Sequence, residues 1–470
     1  MKLAIVSNIM IGNMERGNVL MDLSNRLAEY VTSIKYEELP HVVVEFTKLC
    51  ILDYFSSAIT GAKTPPISKI EELVDELGGN EQASLINGGM SSVTNAAFLN
   101  GASSHIAEQD DIHKGSIIHA ATVVIPAALA VAEWKNLRGK DLITAIVAGY
   151  EVCFRIGEAV TPSHYYYWHN TATCGTFGSA AAVAKLLDLS KEQIIYALGS
   201  AGTQAAGLWE FIEDGAMSKQ LHPGKAAMNG VIASLLAEKN FTGASKILEG
   251  NRGFFEVMSD EYDVSKITDG LGYEYKIMEN SFKVHASCRH THHAMDLLSD
   301  LSKSRDIKIE DIKKIDVGTY QVAINITDND EPETVYQGKF SLQYCTALAF
   351  AHQNGDLSTF NEENLWDENI RKLMRKVNVF VSPKVNKEYP GKWGAEVTVH
   401  MKNGEKINIA TEYPKGDPEN SVSKDDLYRK FMELTKDLQL EKRERVSESI
   451  LSLENINDMK MLFPHNVTIQ

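Results

Sequence analysis

The sequence Ser104-His105-Ile106-Ala107-Glu108-Gln109-Asp110-Asp111-Ile112-His113 opens a stretch, residues 100–133, that continues through His119 into an alanine-rich apolar segment. Three carboxylates and two histidines lie within nine of its residues. Carboxylate and imidazole groups in one patch are what a proton-transfer site needs. If the stretch is helical, His105 and Glu108 share a face, as do Asp110 and His113, because each pair is three residues apart. The sequence therefore predicts two histidine–carboxylate pairs.

Length and charge limit the classes of protein to which this chain can belong. Its 470 residues exceed one ordinary core, so we expect two domains or one large domain with an insertion. The net charge of −16 argues against nucleic-acid binding, and an anionic substrate would need a local basic pocket. With neither a secretory leader pattern nor an apolar run of membrane-spanning length, we expect no membrane partner. Five scattered cysteines without a C-x-x-C pair fit a reduced, cytoplasmic location.

The periodicity of apolar residues divides the chain into helical and mixed parts. Residues 1–17 are expected to form an extension, and residues 18–275 show the spacing of amphipathic helices. Residues 276–408 combine alternating β-branched segments with helices, which predicts an inserted α+β domain. Residues 409–470 are helical again and are expected to return to the first domain. We predict a mainly α fold, with a large all-α helical domain and a smaller inserted α+β domain. Predicted elements include strands at 275–278, 312–320, 377–381 and 395–401, and helices at 290–303, 341–353, 423–438 and 447–462.

Three histidines precede segments rich in glycine and alanine. His119, His169 and His222 would each lie at the N-terminus of a helix, where free N–H groups and the positive end of the dipole favour anions. The same positive end disfavours imidazolium, so neutral histidine would be available as a base near pH 7. The small residues let the helix axes approach closely. If the three helix ends converge, they form a pocket for a carboxylate.

Two lysines would supply the positive charge that an acid substrate requires. Lys219 lies three residues before His222, and Lys283 opens a segment rich in histidine. A cation beside a substrate carboxylate stabilises the enolate-like charge that develops when the adjacent proton or CO₂ leaves. We therefore expect an anionic carboxylate substrate.

Each of these features also has a simpler interpretation. A histidine at a helix start is often a cap, Asp110 and Asp111 could lie on a solvated helix face, and Lys219 could be a surface lysine. The cluster from His285 to His293 contains metal-ligand types, but it lacks zinc-finger spacing and includes Arg289, so we predict no metal there. Gly175 and Gly178 do not complete a dinucleotide fingerprint, and we expect no organic cofactor.

Taken together, the segments resemble the MmgE/PrpD family, which includes 2-methylcitrate dehydratase, cis-aconitate decarboxylase and iminodisuccinate epimerase. The resemblance runs collinearly from about residue 20 to about residue 460. The runs that carry it are Asn100-Gly101-Ala102 with His105 and Asp110-Asp111, His119 with Pro126-Ala127-Ala128-Leu129-Ala130, Gly149-Tyr150-Glu151-Val152, His169-Asn170-Thr171 with Gly175-Thr176-Phe177-Gly178, Lys219-Gln220-Leu221-His222, Leu248-Glu249-Gly250, Phe282-Lys283, Cys288-Arg289-His290-Thr291-His292 and Gly338-Lys339-Phe340-Ser341.

The resemblance implies a homodimer without metal or organic cofactor, whose active site lies in the cleft between the helical domain and an α+β lid. From the decarboxylase branch it carries over five site residues, namely Glu108, His119, His169, Lys219 and Lys283, to which we add Asp110, Asp111 and His222. We expect catalytic roles for His169, His119, Lys219, Glu108 and Asp110. We expect substrate binding by Lys283, His222 and Asp111.

Departures from the family pattern bear on which reaction is catalysed. Glu108 stands where members often have aspartate, and Ile112 replaces a threonine whose hydroxyl would contact substrate in the decarboxylase branch. We therefore expect dehydration of a hydroxy di- or tricarboxylate of the 2-methylcitrate type. His169 or His119 would remove the proton, and the protonated Glu108 region would assist the departing hydroxyl.

Other functions remain open from the sequence. Within the family these are decarboxylation of the cis-aconitate type and epimerisation of the iminodisuccinate type. A chain that binds a carboxylate or a protein partner without turnover is a further alternative. A terpene-synthase-like magnesium patch is disfavoured, because Lys114 occupies the fifth position of the acidic motif.

Overall fold

The computed structural model of the protein describes residues 22–462. The predicted N-terminal extension, residues 1–17, and the C-terminal residues 463–470 lie outside the described part. Helix makes up 59% of the structure and strand 9%, which confirms a mainly α fold with an α+β portion. Between residues 22 and 462, none of the helices combines the length and the apolarity needed to cross a membrane.

The longer helices are numbered here in chain order. They are α1 (Leu23–Ser33), α2 (His41–Gly61), α3 (Pro65–Leu77), α4 (Val93–Ile106), α5 (Ala121–Trp134), α6 (Gly139–Val160), α7 (Asn170–Leu186), α8 (Lys191–Gly202), α9 (Leu221–Glu238), α10 (Arg289–Ser304), α11 (Leu342–His352), α12 (Lys424–Leu434) and α13 (Leu440–Leu451). Shorter helices span Phe211–Asp214, Phe254–Met258, Ser265–Thr268, Gln321–Thr327, Val335–Gly338, Glu362–Leu365, Glu368–Met374 and Pro383–Glu388.

The strands form one four-stranded sheet and two small antiparallel pairs. They are β1 (Ala83–Ser84), β2 (Met90–Ser91), β3 (Ile112–His113), β4 (Asn280–Ser281), β5 (Ile312–Thr319), β6 (Val377–Val381), β7 (Ala395–Met401) and β8 (Lys406–Thr411). The large sheet has the order β6-β5-β7-β8, with β5 parallel to β6 and antiparallel to β7. The short strand β3 pairs with β4, so the acidic stretch is joined directly to the segment that leads to Lys283.

Two large apolar cores and one small apolar cluster lie within the described chain. One core takes its side chains from the segment between Leu23 and Phe282 and from the C-terminal segment between Leu427 and Leu462. The other draws on residues between Ala286 and Ile407, where α10 and α11 cover the large sheet. The C-terminal helices therefore pack with the N-terminal half of the chain, although the domain boundaries at 275 and 408 stay a prediction.

Glycines bring the central helices into close contact. A Cβ on Gly178 of α7 would lie 2.8 Å from the carbonyl oxygen of Gly149 on α6. A Cβ on Gly224 of α9 would lie 2.5 Å from the carbonyl oxygen of Phe98 on α4. Backbone approaches this close admit only glycine. The expected close approach of these helices is therefore present, and it brings the ends of α4, α5, α7 and α9 together.

Two predicted elements were wrong. The expected strand at 275–278 is a 3₁₀ turn, Lys276–Glu279, because the backbone N–H of Lys276 donates to Glu151 and turns the chain against α6. The expected helix at 447–462 is α13, which begins at Leu440 and ends at Leu451. The helix stops there because Lys48 Nζ binds the carbonyl oxygen of Leu451 at 2.9 Å.

Candidate active site

Four histidines meet where the ends of four helices converge. His105 lies in the last turn of α4, and His169 is the N-cap of α7. His119 lies two residues before α5, and His222 is the second residue of α9. The ring centroid of His105 lies 4.9 Å from that of His119 and 5.6 Å from that of His169. The three predicted helix starts therefore converge, and His105 joins them from the opposite helix end.

Glu108 forms the centre of the charged part of this cluster. Its Oε1 accepts a short hydrogen bond from Lys219, and its Oε2 lies 3.0 Å from Lys283 Nζ. Glu108, Lys219 and Lys283 are 2%, 3% and 1% exposed, so one carboxylate faces two ammonium groups out of water. Asp110 Oδ1, 3.9 Å from Lys283 Nζ, supplies a second negative charge. Burial alone would raise the pKa of Glu108, but Lys219 and Lys283 hold it below its usual range. Glu108 is therefore a carboxylate, which disagrees with the expectation of a protonated Glu108 region.

Asp110 connects two of the imidazoles. Its Oδ2 accepts a hydrogen bond of 2.7 Å from His105 Nδ1 and lies 2.9 Å from His119 Nδ1. Burial raises the pKa of Asp110, but His105, which also donates a hydrogen bond to it, and the ammonium of Lys283 lower that pKa below its usual range. Burial lowers the pKa of His119 to about 4, so this imidazole is neutral at pH 7. A proton on Nδ1 facing Asp110 leaves Nε2 of His119 with a free lone pair, which is the form a general base needs.

His169 and His222 form a second imidazole pair. Their Nδ1 atoms are 3.0 Å apart, and Trp209 packs against the ring of His169 at 4.9 Å. Burial, followed by the neighbouring His222, lowers the pKa of His169 well below its usual range. Burial also lowers the pKa of His222 to about 4. These histidines are therefore neutral as expected, but burial rather than the helix dipole is the main cause.

The histidine–carboxylate pairs predicted for a continuous helix are wrong. Helix α4 ends at Ile106, and Glu108 has a φ of +56°, in the left-handed region that few residues with side chains adopt. This turn takes Glu108 away from His105 and places Asp110 there instead. His113 lies in β3, where its Nδ1 contacts Ser116 Oγ at 2.9 Å rather than Asp110. Tertiary contacts thus outweigh the helical spacing.

Asp111 has a different environment from Asp110. Its Oδ2 accepts hydrogen bonds from the Tyr150 hydroxyl at 2.8 Å and from Asn280 Nδ2 at 2.6 Å. Its Oδ1 accepts the N–H of Ala121, the first residue of α5, at 3.1 Å. Burial, with a further contribution from Asp53, raises the pKa of Asp111 to about 7. These contacts hold the start of α5 in place, and they favour a structural role over the predicted substrate contact.

Two further residues approach Glu108 from the α+β side, and the sequence analysis assigned neither a role. Lys339 Nζ donates a hydrogen bond of 3.0 Å to the carbonyl oxygen of Ala107, and burial lowers the pKa of this lysine to about 8. The Tyr336 hydroxyl is buried beside Gln220, and burial, followed by Glu108, raises its pKa. Lys339 belongs to the run from Gly338 to Ser341, which is part of the family resemblance and is the sequence signal for this residue. The 232 positions between Lys339 and Ala107 leave their contact invisible in the sequence.

The histidine-rich segment after Lys283 is taken up by separate contacts. His285 pairs with Asp296 at 2.9 Å, and His290 Nδ1 lies 2.7 Å from the Tyr320 hydroxyl. His292 contacts Arg289 and His293 contacts Thr319 at 2.9 and 3.1 Å. Within the described chain, two other groups place three ligand atoms within 4.8 Å, namely His105-Asp110-His119 and His113-Glu158-Glu279. A lysine lies beside each group, Lys283 at 3.9 Å from Asp110 and Lys276 at 3.2 Å from Glu158, and its charge opposes a bound cation.

The cluster lies at the junction of the two cores and is largely closed. Lys219, His169 and Asp110 are at most 3% exposed, and His119 shows 12% of its side chain. Beside it, a cavity of about 500 Å³ opens between α12 and residues 356–358, and Gln109 and Lys283 line its inner end. Arg429, Lys430 and Lys436 also line this cavity, so a ligand with several carboxylates would find cations along the path to Lys283.

The fold and the cluster define a class of mainly helical proteins in which an inserted α+β unit covers buried imidazole and lysine groups. The chain belongs to the MmgE/PrpD family. The family model of the MmgE/PrpD N-terminal domain matches residues 25–266, and that of the C-terminal domain matches residues 285–455.

Curated relatives align over almost the whole chain. The chain is 27% identical to the cis-aconitate decarboxylase-like protein oryM of Aspergillus oryzae, over 95% of this chain and 96% of that protein. It is 26% identical to the cis-aconitate decarboxylase of Aspergillus terreus, with the same coverage of 95% and 96%. The cis-aconitate decarboxylase of Homo sapiens is 24% identical over 94% of each chain.

Proposed function

We propose that this protein is a lyase that acts, without a metal or organic cofactor, on a small di- or tricarboxylate at the cluster around Glu108. The observation that carries the proposal is the buried Lys219–Glu108–Lys283 group beside neutral His119 and His169. Lysines stabilise carboxylates and the negative charge that develops beside them, while neutral imidazoles exchange protons. Both effects are stronger in a site that excludes water.

We favour decarboxylation of a cis-aconitate-type substrate. The curated relatives described above carry that activity in their names. The sequence argument against this activity depended on Ile112, but this side chain lies in an apolar cluster with Ile117, Tyr320 and Trp393. An isoleucine in that cluster contributes to packing between the two cores, so its missing hydroxyl is a weaker objection than the sequence suggested.

The decarboxylation has a simple balance. One carboxylate leaves as CO₂, the bonding pair moves into the allylic system beside a second carboxylate, and one proton adds to carbon. Lys219 and Lys283 would exchange Glu108 for the substrate carboxylates and hold the developing charge. The proton would come from His169 or His119, each of which gains affinity for a proton beside a bound anion, or from the neutral hydroxyl of Tyr336.

Dehydration of a 2-methylcitrate-type hydroxy acid is the second candidate. The low pKa of His119 favours it, because a neutral imidazole in the resting site is ready to accept the proton beside a carboxylate. Glu108 is ionised in the resting site, so the departing hydroxyl would need another acid, and the neutral hydroxyl of Tyr336 is one candidate.

Several expectations accompany the proposal. The unit built on the second core would act as the lid, and His222 and Lys283 would bind substrate carboxylates. The homodimer predicted by the family resemblance and the cytoplasmic location predicted from the cysteines stay predictions.

Proton NMR of the purified protein with cis-aconitate, hydroxy-tricarboxylates and amino-dicarboxylates tests the proposal. We expect loss of CO₂ from cis-aconitate and uptake of one solvent deuteron into the product in D₂O. Loss of water from a hydroxy acid would select the second candidate, while deuterium exchange without net loss would indicate an epimerase. Binding without turnover of any substrate would contradict the proposal.

Variants locate the chemistry in the cluster. We expect His169→Ala to lower turnover about 10²- to 10³-fold with an unchanged unfolding midpoint, as for loss of a general acid or base. His41→Ala is the matched control, because His41 is an exposed histidine at the start of α2. Full activity of His169→Ala would reject the assignment of the site.

A further inference from the structure

The carbonyl groups of the two residues next to Glu108 are held by lysines from distant parts of the chain. The carbonyl oxygen of Ala107 accepts a hydrogen bond of 3.0 Å from Lys339 Nζ. The carbonyl oxygen of Gln109 accepts one of 2.6 Å from Lys430 Nζ. Lys339 belongs to the α+β unit and Lys430 to α12, so Glu108 is fixed from both sides of the interdomain junction.

Lys430 also holds the partner of Glu108. Its Nζ donates to the carbonyl oxygen of Lys283 at 2.9 Å and to Asp53 Oδ1 at 2.7 Å. A single ammonium group therefore binds the segments that carry Glu108 and Lys283 and anchors them to α2 through a carboxylate. Its side chain is 13% exposed and that of Asp53 is fully buried, so these hydrogen bonds compete little with water.

Lys339 acts at the end of a helix. Ala107 is the C-cap of α4, where carbonyl groups lack partners within the helix and the dipole favours a cation. Lys339 is 7% exposed, so its ammonium is directed at this carbonyl rather than at solvent. The contact joins the α+β unit to the helix that carries His105.

The backbone at Glu108 needs such support. A φ of +56° is unfavourable for a residue with a Cβ and persists where surrounding contacts fix it. Relaxation of this turn would move the carboxylate away from Lys219 and Lys283. Catalysis depends closely on the distances between reacting groups, and a displacement of a catalytic group by about 1 Å can lower the rate about 10²-fold.

We propose that Lys339 and Lys430 are positioning residues, which fix the peptide bonds around Glu108 and keep Glu108 and Lys283 in the geometry that the reaction needs. In this role neither lysine touches the substrate. Lys430 also lines the cavity beside the cluster, so a rise in KM in Lys430→Met without a loss of kcat would show substrate binding instead. The inference rests on the proposed function, since it assumes that Glu108 and Lys283 act in turnover.

Steady-state kinetics of Lys430→Met and Lys339→Met test the kinetic part. We expect each variant to lower kcat about 10- to 100-fold while KM changes less than about threefold, because alignment is lost while the carboxylate-binding lysines remain. Lys430→Arg should recover more of kcat than Lys430→Met, since guanidinium can donate to the same three oxygens. Lys424→Met is the matched control, because Lys424 is the exposed first residue of the same helix, α12, and does not line the cavity beside Lys283.

A second measurement needs no substrate. Hydrogen exchange should be at least about tenfold faster at amides 106–112 in Lys430→Met and Lys339→Met than in the wild type, with the α7 amides unchanged. If Lys430→Met does not fold because Asp53 is left as a buried unpaired charge, the Asp53→Asn/Lys430→Met double variant takes its place. Turnover and exchange equal to those of Lys424→Met would overturn the inference.

The two hypotheses fail in different ways. Absence of turnover by the wild type with every substrate would contradict the proposed function, and exchange at amides 106–112 would then decide the positioning role alone. Wild-type turnover with unchanged kcat in both methionine variants would overturn the positioning role and leave the proposed function intact. A parallel loss of kcat and of the unfolding midpoint, with no recovery in Lys430→Arg, would also overturn it.

Discussion

The Nδ1 atoms of His169 and His222 lie 3.0 Å apart and share one hydrogen bond. One ring must donate and the other must accept, so the two rings cannot both be protonated without losing this contact. Burial favours the neutral form of both. The two rings therefore share a single proton between their Nδ1 atoms, and a bound anion can change which ring carries it.

Stability should fall as the pH is lowered through the range of these imidazoles. The pKa of His119 and of His222 is about 4 in the folded protein, against about 6.5 in an unfolded chain. The unfolded state therefore binds more protons between these values, and the stabilising contribution present above pH 6.5 is lost as the pH falls towards 4. Each group can contribute up to about 1.4 kcal/mol per pH unit. Urea unfolding at pH 7, 6 and 5 measures how the free energy of unfolding depends on pH, and His222→Gln should weaken this dependence. An unchanged pH dependence in that variant would show that His222 is not its cause.

The neighbouring carboxylates Asp110 and Asp111 should separate catalysis from stability. Asp110→Asn removes the charge that orients His105 and His119, so we expect kcat to fall about 10²- to 10⁴-fold, as when an imidazole loses its orienting carboxylate. Asp111→Asn should leave kcat within about threefold, because Asp111 binds Tyr150 and the start of α5. Kinetics and urea unfolding of both variants make the comparison. Equal losses of kcat would show that the two positions are not functionally distinct.

Replacement of Glu108 by glutamine should increase affinity and decrease turnover. Glu108 occupies the ammonium groups of Lys219 and Lys283, and its removal frees both for substrate carboxylates. We expect a lower KM together with a kcat about 10²-fold below that of the wild type, because the alignment of the lysines is lost. Titration calorimetry with a tricarboxylate provides the independent affinity. Weaker binding by Glu108→Gln would show that Glu108 does not compete with the substrate.

Chelation should not affect turnover. His105, Asp110 and His119 place three ligand atoms within 4.8 Å, so the expectation of metal-independent activity needs a direct test. Because Lys283 lies beside this group and His105 already donates to Asp110, we expect activity to be unchanged after dialysis against EDTA and within about twofold after added zinc. Loss of activity on chelation and recovery with one metal would reverse this interpretation.

The sequence predicts the parts of the fold that depend on local periodicity. Strands β6 and β7 have the predicted bounds, since their alternating residues face a core on one side. The helix starts at His169 and His222 also follow from small-residue segments. The turn at Glu108 could not be predicted, because the contacts of this residue come from distant parts of the chain. Lys219 is 111 positions away and Lys283 is 175 positions away. Lys339 was hidden for the same reason, since it acts through a carbonyl 232 positions away.

Close helix packing should be as important for the cluster as the charged groups. Gly224 lies near the start of α9, two residues after His222, and a Cβ at this position would lie 2.5 Å from the carbonyl oxygen of Phe98. Backbone cannot yield as a side chain does, so Gly224→Ala must move α9 away from α4. We expect a loss of about 1–3 kcal/mol in the free energy of unfolding, typical of overpacking.

The same movement shifts His222 away from His169 and His105, so kcat should fall at least about tenfold although Gly224 touches no reacting group. Gly391→Ala is the control, because Gly391 is exposed and its added Cβ would meet only Glu388 O at 3.4 Å. Urea unfolding and steady-state kinetics of both variants check the two parts of the prediction. Wild-type stability and turnover in Gly224→Ala would mean that the approach of α4 and α9 does not set the position of the histidines.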